Sequence, residues 1–287
     1  MLMKQYIYSL NELSDKAPKM FGIKTGTKLD NMFFTYDEED GRVVKKTLYG
    51  LPYLGVLNIV GSPDTGKSLF AYQFAVFQAS IGYKVVILTT ETPASFLYNT
   101  IRERCLIMSK DFEEVARNIV VVDLAQEDSV RENINEVISL LERAINKHNA
   151  TITIIDSVTG LYEHKELNAR RVLRAIYNFL KARKQTALIT SQKRSSKDSS
   201  TVEAAGGLGV AHIVDGSIVL DKRIINTKYE EGIYGMPIGS VMRTLRIDGC
   251  RLAGHDQRTH ILKISDTGVI DVGEELSEYL KANRKEI

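Results

Sequence analysis

Residues 61–68 read Gly-Ser-Pro-Asp-Thr-Gly-Lys-Ser, a complete GxxxxGK[ST] pattern. Its chemistry is the cradling of a phosphate chain. Gly61 and Gly66 permit backbone conformations and a close approach that a Cβ would block. The turn between them, Ser62, Pro63, Asp64 and Thr65, then presents its N–H groups to an anion at the start of the helix that continues through Leu69. Lys67 is placed to reach the β- and γ-phosphates, and the Ser68 hydroxyl to ligate Mg²⁺. A glycine-rich turn capping a core helix would share some of this pattern. The flanks favour the phosphate site: the apolar run VLNIV (56–60) stands before it and Ser68-Leu69-Phe70 opens a helical pattern after it.

Two carboxylates complete the candidate set. Asp156 ends the apolar run TITIID and suits a second contact to Mg²⁺; a helix cap after a strand is the plainer role. Glu91 follows the run KVVILTT. A carboxylate at the tip of a strand beside the phosphate loop can take a proton from an attacking water or orient it.

The elements that must carry these residues are legible as a rhythm. Short runs rich in β-branched residues recur: VLNIV (56–60), KVVILTT (84–90), NIVVVD (118–123), TITIID (151–156), TALITS (186–191) and GSIVLD (216–221). Nearly continuous apolar runs of this length suit strands buried on both faces of a parallel sheet. Helical patterns lie between them, with Leu69, Phe70, Phe74, Phe77 and Ile81 in one and Val130, Ile134, Val137, Ile138, Leu141 and Ile145 in another. The alternation predicts a doubly wound α/β sheet with helices on both faces. Ligands bind at the C-terminal ends of such strands.

Past residue 220 the rhythm changes. MRTLRID (242–248), THILKIS (259–265) and VIDV (269–272) predict an antiparallel extension at the sheet edge, followed by a terminal helix. Before the core, GIKTGTKLDNMF (22–33) predicts a turn and a short helix, and DEEDGRVVKKTL a protruding hairpin around Asp40-Gly41. The expected organisation is an N-terminal segment (1–50) with a hairpin insertion near 37–49, a core carrying the phosphate loop (51–272) and a helical tail (273–287).

Composition closes off other classes. The chain has 287 residues, 44% hydrophobic and 26% charged, which is ordinary for a folded core and argues against disorder. No run approaches the roughly 20 apolar residues of a membrane span. The N-terminus has no continuous apolar stretch of a secretory signal, so a cytoplasmic protein is expected. The two cysteines form no metal spacing or disulfide framework, and His148, His164, His255 and His260 lack a metal-binding pattern. A net charge of +2 is too balanced to imply nucleic acid by itself.

The motifs together resemble a known family. The phosphate loop, Glu91 after the next strand, IIDSVTGL (154–161) and Ser191-Gln192 at the end of another strand resemble the RecA/RadA and KaiC core. The opening TGTKLDNMF, the segment AAGGLGVAHIVDGSIVL (204–220), and LRIDGCRLAGH followed by LKISDTGVI (245–269) sharpen the likeness. The chain resembles a KaiC-like ATPase of archaeal type, also described as a RadA paralogue, with a single RecA-like core over about residues 22–272.

The resemblance implies ATP and Mg²⁺ at Lys67, Ser68 and Asp156, and water activation by Glu91. It implies a γ-phosphate sensor at Gln192 and an oligomer, ring or filament, whose site is completed from a neighbour. Arg246 stands where the family supplies a basic finger in trans, although the second basic residue of that motif is here Asp248. It also implies a role in DNA recombination or repair, through single-stranded DNA or a recombinase. Lys193, Arg194 and Lys197, among serines, are the candidate phosphate contacts for DNA. The alternative is an ATP-dependent switch acting on a protein partner, with little turnover and no DNA. A second basic group on the helix after Asp156, Arg170, Arg174 and Lys181, fits a solvated face or subunit contact better than a DNA site.

Overall fold

The computed structural model describes residues 7–162, 168–193 and 212–283. Its centre is a nine-stranded sheet. The order across it is Ile270–Glu275, His260–Ile264, Val241–Cys250, Gly216–Ile224, Val56–Gly61, Thr186–Gln192, Ile152–Asp156, Val85–Thr89 and Ile119–Asp123. The last six run parallel, in the register Gly216↔Leu57, Val56↔Ala187, Ile152↔Thr186, Val85↔Ile152 and Val85↔Ile119. The first three are antiparallel to their neighbours. The sheet is therefore the expected doubly wound core with the expected edge extension.

Alternation along each strand divides the core into two layers. In Val56–Gly61, Leu57 and Ile59 pack into one cluster while Val56 and Val60 pack into the other. The first layer is closed by helices Lys67–Ser80 and Ala94–Ile107, the second by Ile134–His148 and Ala169–Ala182. Lys67–Ser80 is buried nearly all round, through Phe70, Phe74 and Val76, which explains its weak amphipathic pattern in the sequence. Ala169–Ala182 buries only one stripe, Val172, Leu173, Ile176 and Leu180.

The N-terminal residues join this core. Leu29 and Phe33 are fully buried in the first layer. Phe33–Glu39 and Arg42–Thr47 form the expected hairpin, with Asp40 and Gly41 both at positive φ (51° and 73°), as a two-residue primed turn demands. Gly254–His255 adds a third strand at its base. The tail forms a helix, Leu276–Asn283. Among the described residues no helix is long and apolar enough to cross a membrane.

Candidate active site

The phosphate loop leaves the central strand at Gly61 and enters its helix at Lys67. Both glycines are required by what surrounds them. A Cβ on Gly61 would sit 2.5 Å from the Leu220 carbonyl oxygen and 2.6 Å from Thr65 Oγ1. Gly66 has φ 100°, a conformation strained for any L side chain. Inside the loop, Thr65 Oγ1 donates to the Ser62 carbonyl at 2.9 Å, and Lys67 Nζ donates to the same oxygen at 2.9 Å. Lys67 thus folds back across the concavity that a phosphate would fill. Burial pushes its ammonium below the usual lysine range, and the charges of Asp156 and Glu91 draw it back up.

The parallel order brings the carboxylates to the same edge. Asp156 ends the strand two places from the phosphate-loop strand, and Ser68 Oγ donates to its Oδ1 at 3.1 Å. Thr190 Oγ1, on the strand between, donates to the same oxygen at 2.5 Å. Glu91 lies just past the next strand. Ser157 Oγ donates to its Oε1 at 2.7 Å, and Ser157 is held in turn by Thr90, whose Oγ1 donates to the Ser157 carbonyl at 2.9 Å. Gln192 stands opposite Gly61 in register, its backbone N–H bonded to Thr159 Oγ1 at 3.0 Å.

The arrangement fits a phosphate with a divalent cation. The glycines allow a tight loop that a Cβ at Gly61 would push off the neighbouring strand, and a hydroxyl and a carboxylate converge beside it. Tyr72 adds an orphaned atom. Its Oη is buried beside Asp156 and Thr92 without a well-aligned hydrogen bond among the described residues, and burial first and the Asp156 charge second raise its phenol above the ordinary range. Ser157, Thr190 and Tyr72 were not visible as site residues in the sequence; a hydroxyl at a strand end beside a carboxylate was the one available signal.

The KaiC ATPase family model matches residues 23–277. The chain belongs to the KaiC family of ATPases. Similar proteins include a UPF0273 protein of Thermotoga maritima, 27% identical over 77% of this chain and 88% of its own. Another, from Methanocaldococcus jannaschii, is 28% identical over 77% of this chain and 89% of its own. The crystal structure of the KaiC-like protein PH0186 from Pyrococcus horikoshii shares the fold at a TM-score of 0.66 and 22% identity, covering 89% of this chain and all of that one.

Two candidates of this KaiC-family chain have side chains that do not reach the Asp156–Glu91 cluster. Arg246 lies across from Val219, and its Nη2 is 3.4 Å from Asp248 Oδ1, an ion-pair distance without hydrogen-bond geometry; that nitrogen is buried and makes no hydrogen bond among the described residues. Lys193 corrects an expectation. Its side chain is only 2% exposed and points inward to Asp221 Oδ1 at 3.5 Å, while its N–H bonds the Gly61 carbonyl at 3.1 Å. An ammonium held this way is not a surface contact for a nucleic-acid phosphate. Arg194 and Lys197 lie outside the described residues.

Proposed function

We propose that this chain is a Mg²⁺-dependent ATP hydrolase. The observation that carries the reading is the Ser68–Asp156 contact at 3.1 Å, made across the sheet next to a glycine-lined cradle and its lysine. Gly61–Leu69 bind the triphosphate, and Lys67 moves from the Ser62 carbonyl to the β- and γ-oxygens as the phosphates replace its partner. Ser68 and Asp156 would hold Mg²⁺, whose charge offsets that of the phosphates. Glu91, exposed and oriented by Ser157, takes a proton from the attacking water as that water's oxygen bonds to the γ-phosphorus and the bond to the ADP oxygen breaks. Gln192, opposite Gly61, senses the terminal phosphate and passes its state to the segment that follows.

The test is phosphate release with and without Mg²⁺. Lys67→Ala abolishes hydrolysis with an unchanged circular dichroism spectrum. Glu91→Gln keeps nucleotide binding and loses about 10²–10⁴ in turnover, the usual worth of a general base. Unchanged turnover in Lys67→Ala sinks the site assignment.

The setting in this reading is DNA recombination or repair, with ATP state coupled to single-stranded DNA or a recombinase, in a cytoplasmic homo-oligomer. Its support is the RadA-like segment 204–220 and the cations Arg194 and Lys197. A second reading, an ATP-dependent switch on a protein partner without DNA, is favoured by the inward turn of Lys193. Turnover titrated with single-stranded DNA separates them: stimulation supports the first, and indifference the second.

A further inference from the structure

The fourth position of the phosphate loop holds a carboxylate. Asp64 sits at φ 63° with its side chain 71% exposed. Its Oδ2 accepts from Lys222 Nζ at 3.1 Å and from Arg243 Nη2 at 3.2 Å, and Arg243 Nε donates to the Asp64 carbonyl at 3.3 Å. Lys222 and Arg243 face each other directly across the antiparallel ladder. Like charges directly opposite in a sheet repel and destabilise the pairing. These two are also more buried than their anion, at 27% and 21% side-chain exposure. The sheet therefore keeps a costly pair of cations at one point, with only an exposed carboxylate between them among the described residues.

The location explains what such a pair is for. Leu220 is opposite Gly61, and the strand runs on past the place where the phosphate loop turns away. Lys222, two residues further along the same face, is thereby carried beside the loop, near enough for its charge to depress the Lys67 ammonium. Two cations on one carboxylate leave this spot with a net charge of about +1, so Asp64 does not turn the cradle against an incoming anion. A terminal phosphate offers several anionic oxygens where Asp64 Oδ2 offers one, and charge-assisted bonds to it are the stronger kind.

We propose that Lys222 and Arg243 grip the terminal phosphate of a nucleoside triphosphate, and that Asp64 is the stand-in anion that keeps them aimed at the loop until it arrives. The grip rests on the nucleotide reading above and extends it: these residues select triphosphate over diphosphate. Lys222 and Arg243 touch the ligand, and Asp64 is a positioning residue.

Calorimetric titration of the full chain with Mg²⁺ and either ADP or the non-hydrolysable triphosphate AMPPNP tests this without recourse to turnover. Lys222→Met and Arg243→Met each weaken AMPPNP about tenfold or more, the worth of a hydrogen bond to a charged group, and change ADP less than about twofold. Lys222→Arg restores the preference for triphosphate, and Asp64→Asn tightens AMPPNP more than ADP. If the methionine variants weaken both nucleotides equally, with a lowered melting temperature, the clamp is a structural pin and the grip is overturned. An unchanged AMPPNP-to-ADP ratio in folded variants overturns it as well. Wild-type protein that binds neither nucleotide would instead overturn the nucleotide reading, and the grip with it.

Discussion

Asp156 Oδ1 receives two hydroxyls, Ser68 from the phosphate-loop helix and Thr190 from the neighbouring strand. The two donors differ in consequence. Ser68 belongs to the loop itself, whereas Thr190 only fixes the carboxylate. Outer partners of metal ligands are commonly worth 10–100-fold in metal affinity. Thr190→Val, nearly isosteric, is therefore expected to raise the Mg²⁺ concentration for half-maximal hydrolysis about tenfold at unchanged saturating rate; a Mg²⁺ titration of phosphate release measures it. Ser157→Ala should act on the other carboxylate, lowering turnover about tenfold through loss of one hydrogen bond to Glu91 while leaving the Mg²⁺ requirement alone. Asp156 and Glu91 were legible in the sequence because each terminates an apolar run, which places it at a sheet edge. Thr190 and Ser157 were not, since a hydroxyl inside or just after such a run is equally at home in a strand. Lys193 misled for a related reason: a long aliphatic stem can carry its ammonium inward to a half-buried partner, and sequence position does not reveal which way it turns.

The strands and their sides were readable from β-branched runs and their alternation, because each element's pattern is local. What joins the elements was less so. Asp215, just before the strand Gly216–Ile224, is buried and accepts from Val56 N–H at 2.8 Å, Tyr177 Oη at 2.8 Å and Lys181 Nζ at 2.9 Å. Lys181 also donates to the Leu54 carbonyl at 2.8 Å. One carboxylate thus fastens helix Ala169–Ala182 to the start of the phosphate-loop strand, and Lys181 is drawn out of the solvated face that its spacing with Arg170 and Arg174 suggests. Removing Asp215 leaves the buried Val56 N–H without its acceptor and the half-buried Lys181 without its counter-charge, at a cost of about 1–3 kcal/mol. Asp215→Ala should lose stability on that order in denaturant titration, and a loss below about 1 kcal/mol would show that water replaces the tie. The hairpin makes the opposite prediction. Its base is anchored by Phe33 and Leu48, but Asp37–Asp40 and Arg42–Val43 are exposed. Replacing residues 37–44 by a short Asn-Gly turn is expected to shift the melting temperature by only a few degrees.

At the scale of the whole molecule the open question is whether one chain holds a complete site. Lys67, Ser68, Asp156 and Glu91 converge within it, yet Arg246 is left with a buried nitrogen that makes no hydrogen bond among the described residues, 3.4 Å from Asp248 but misaligned with it. A buried N–H without an acceptor costs about 1–3 kcal/mol, which favours a shift of the guanidinium toward a partner. The helix that follows Glu91 also exposes Phe96 and Leu106, at 67% and 79%, which a neighbouring copy would cover. An arginine supplied in trans is worth about 10³–10⁵ in phosphoryl-transfer rate. If Arg246 serves this way, activity per protomer rises as protein concentration drives assembly, and Arg246→Ala stays low at every concentration. Mixing Arg246→Ala with Lys67→Ala then restores part of the activity, because interfaces form in which the Lys67→Ala protein lends its Arg246 to an intact phosphate loop. The pairing with Asp248 predicts the reverse: turnover independent of concentration, no rescue on mixing, and an Arg246→Ala variant affected in stability rather than rate. Specific activity over a hundredfold concentration range, read beside native mass, decides between an enzyme built from one chain and a site completed by the next.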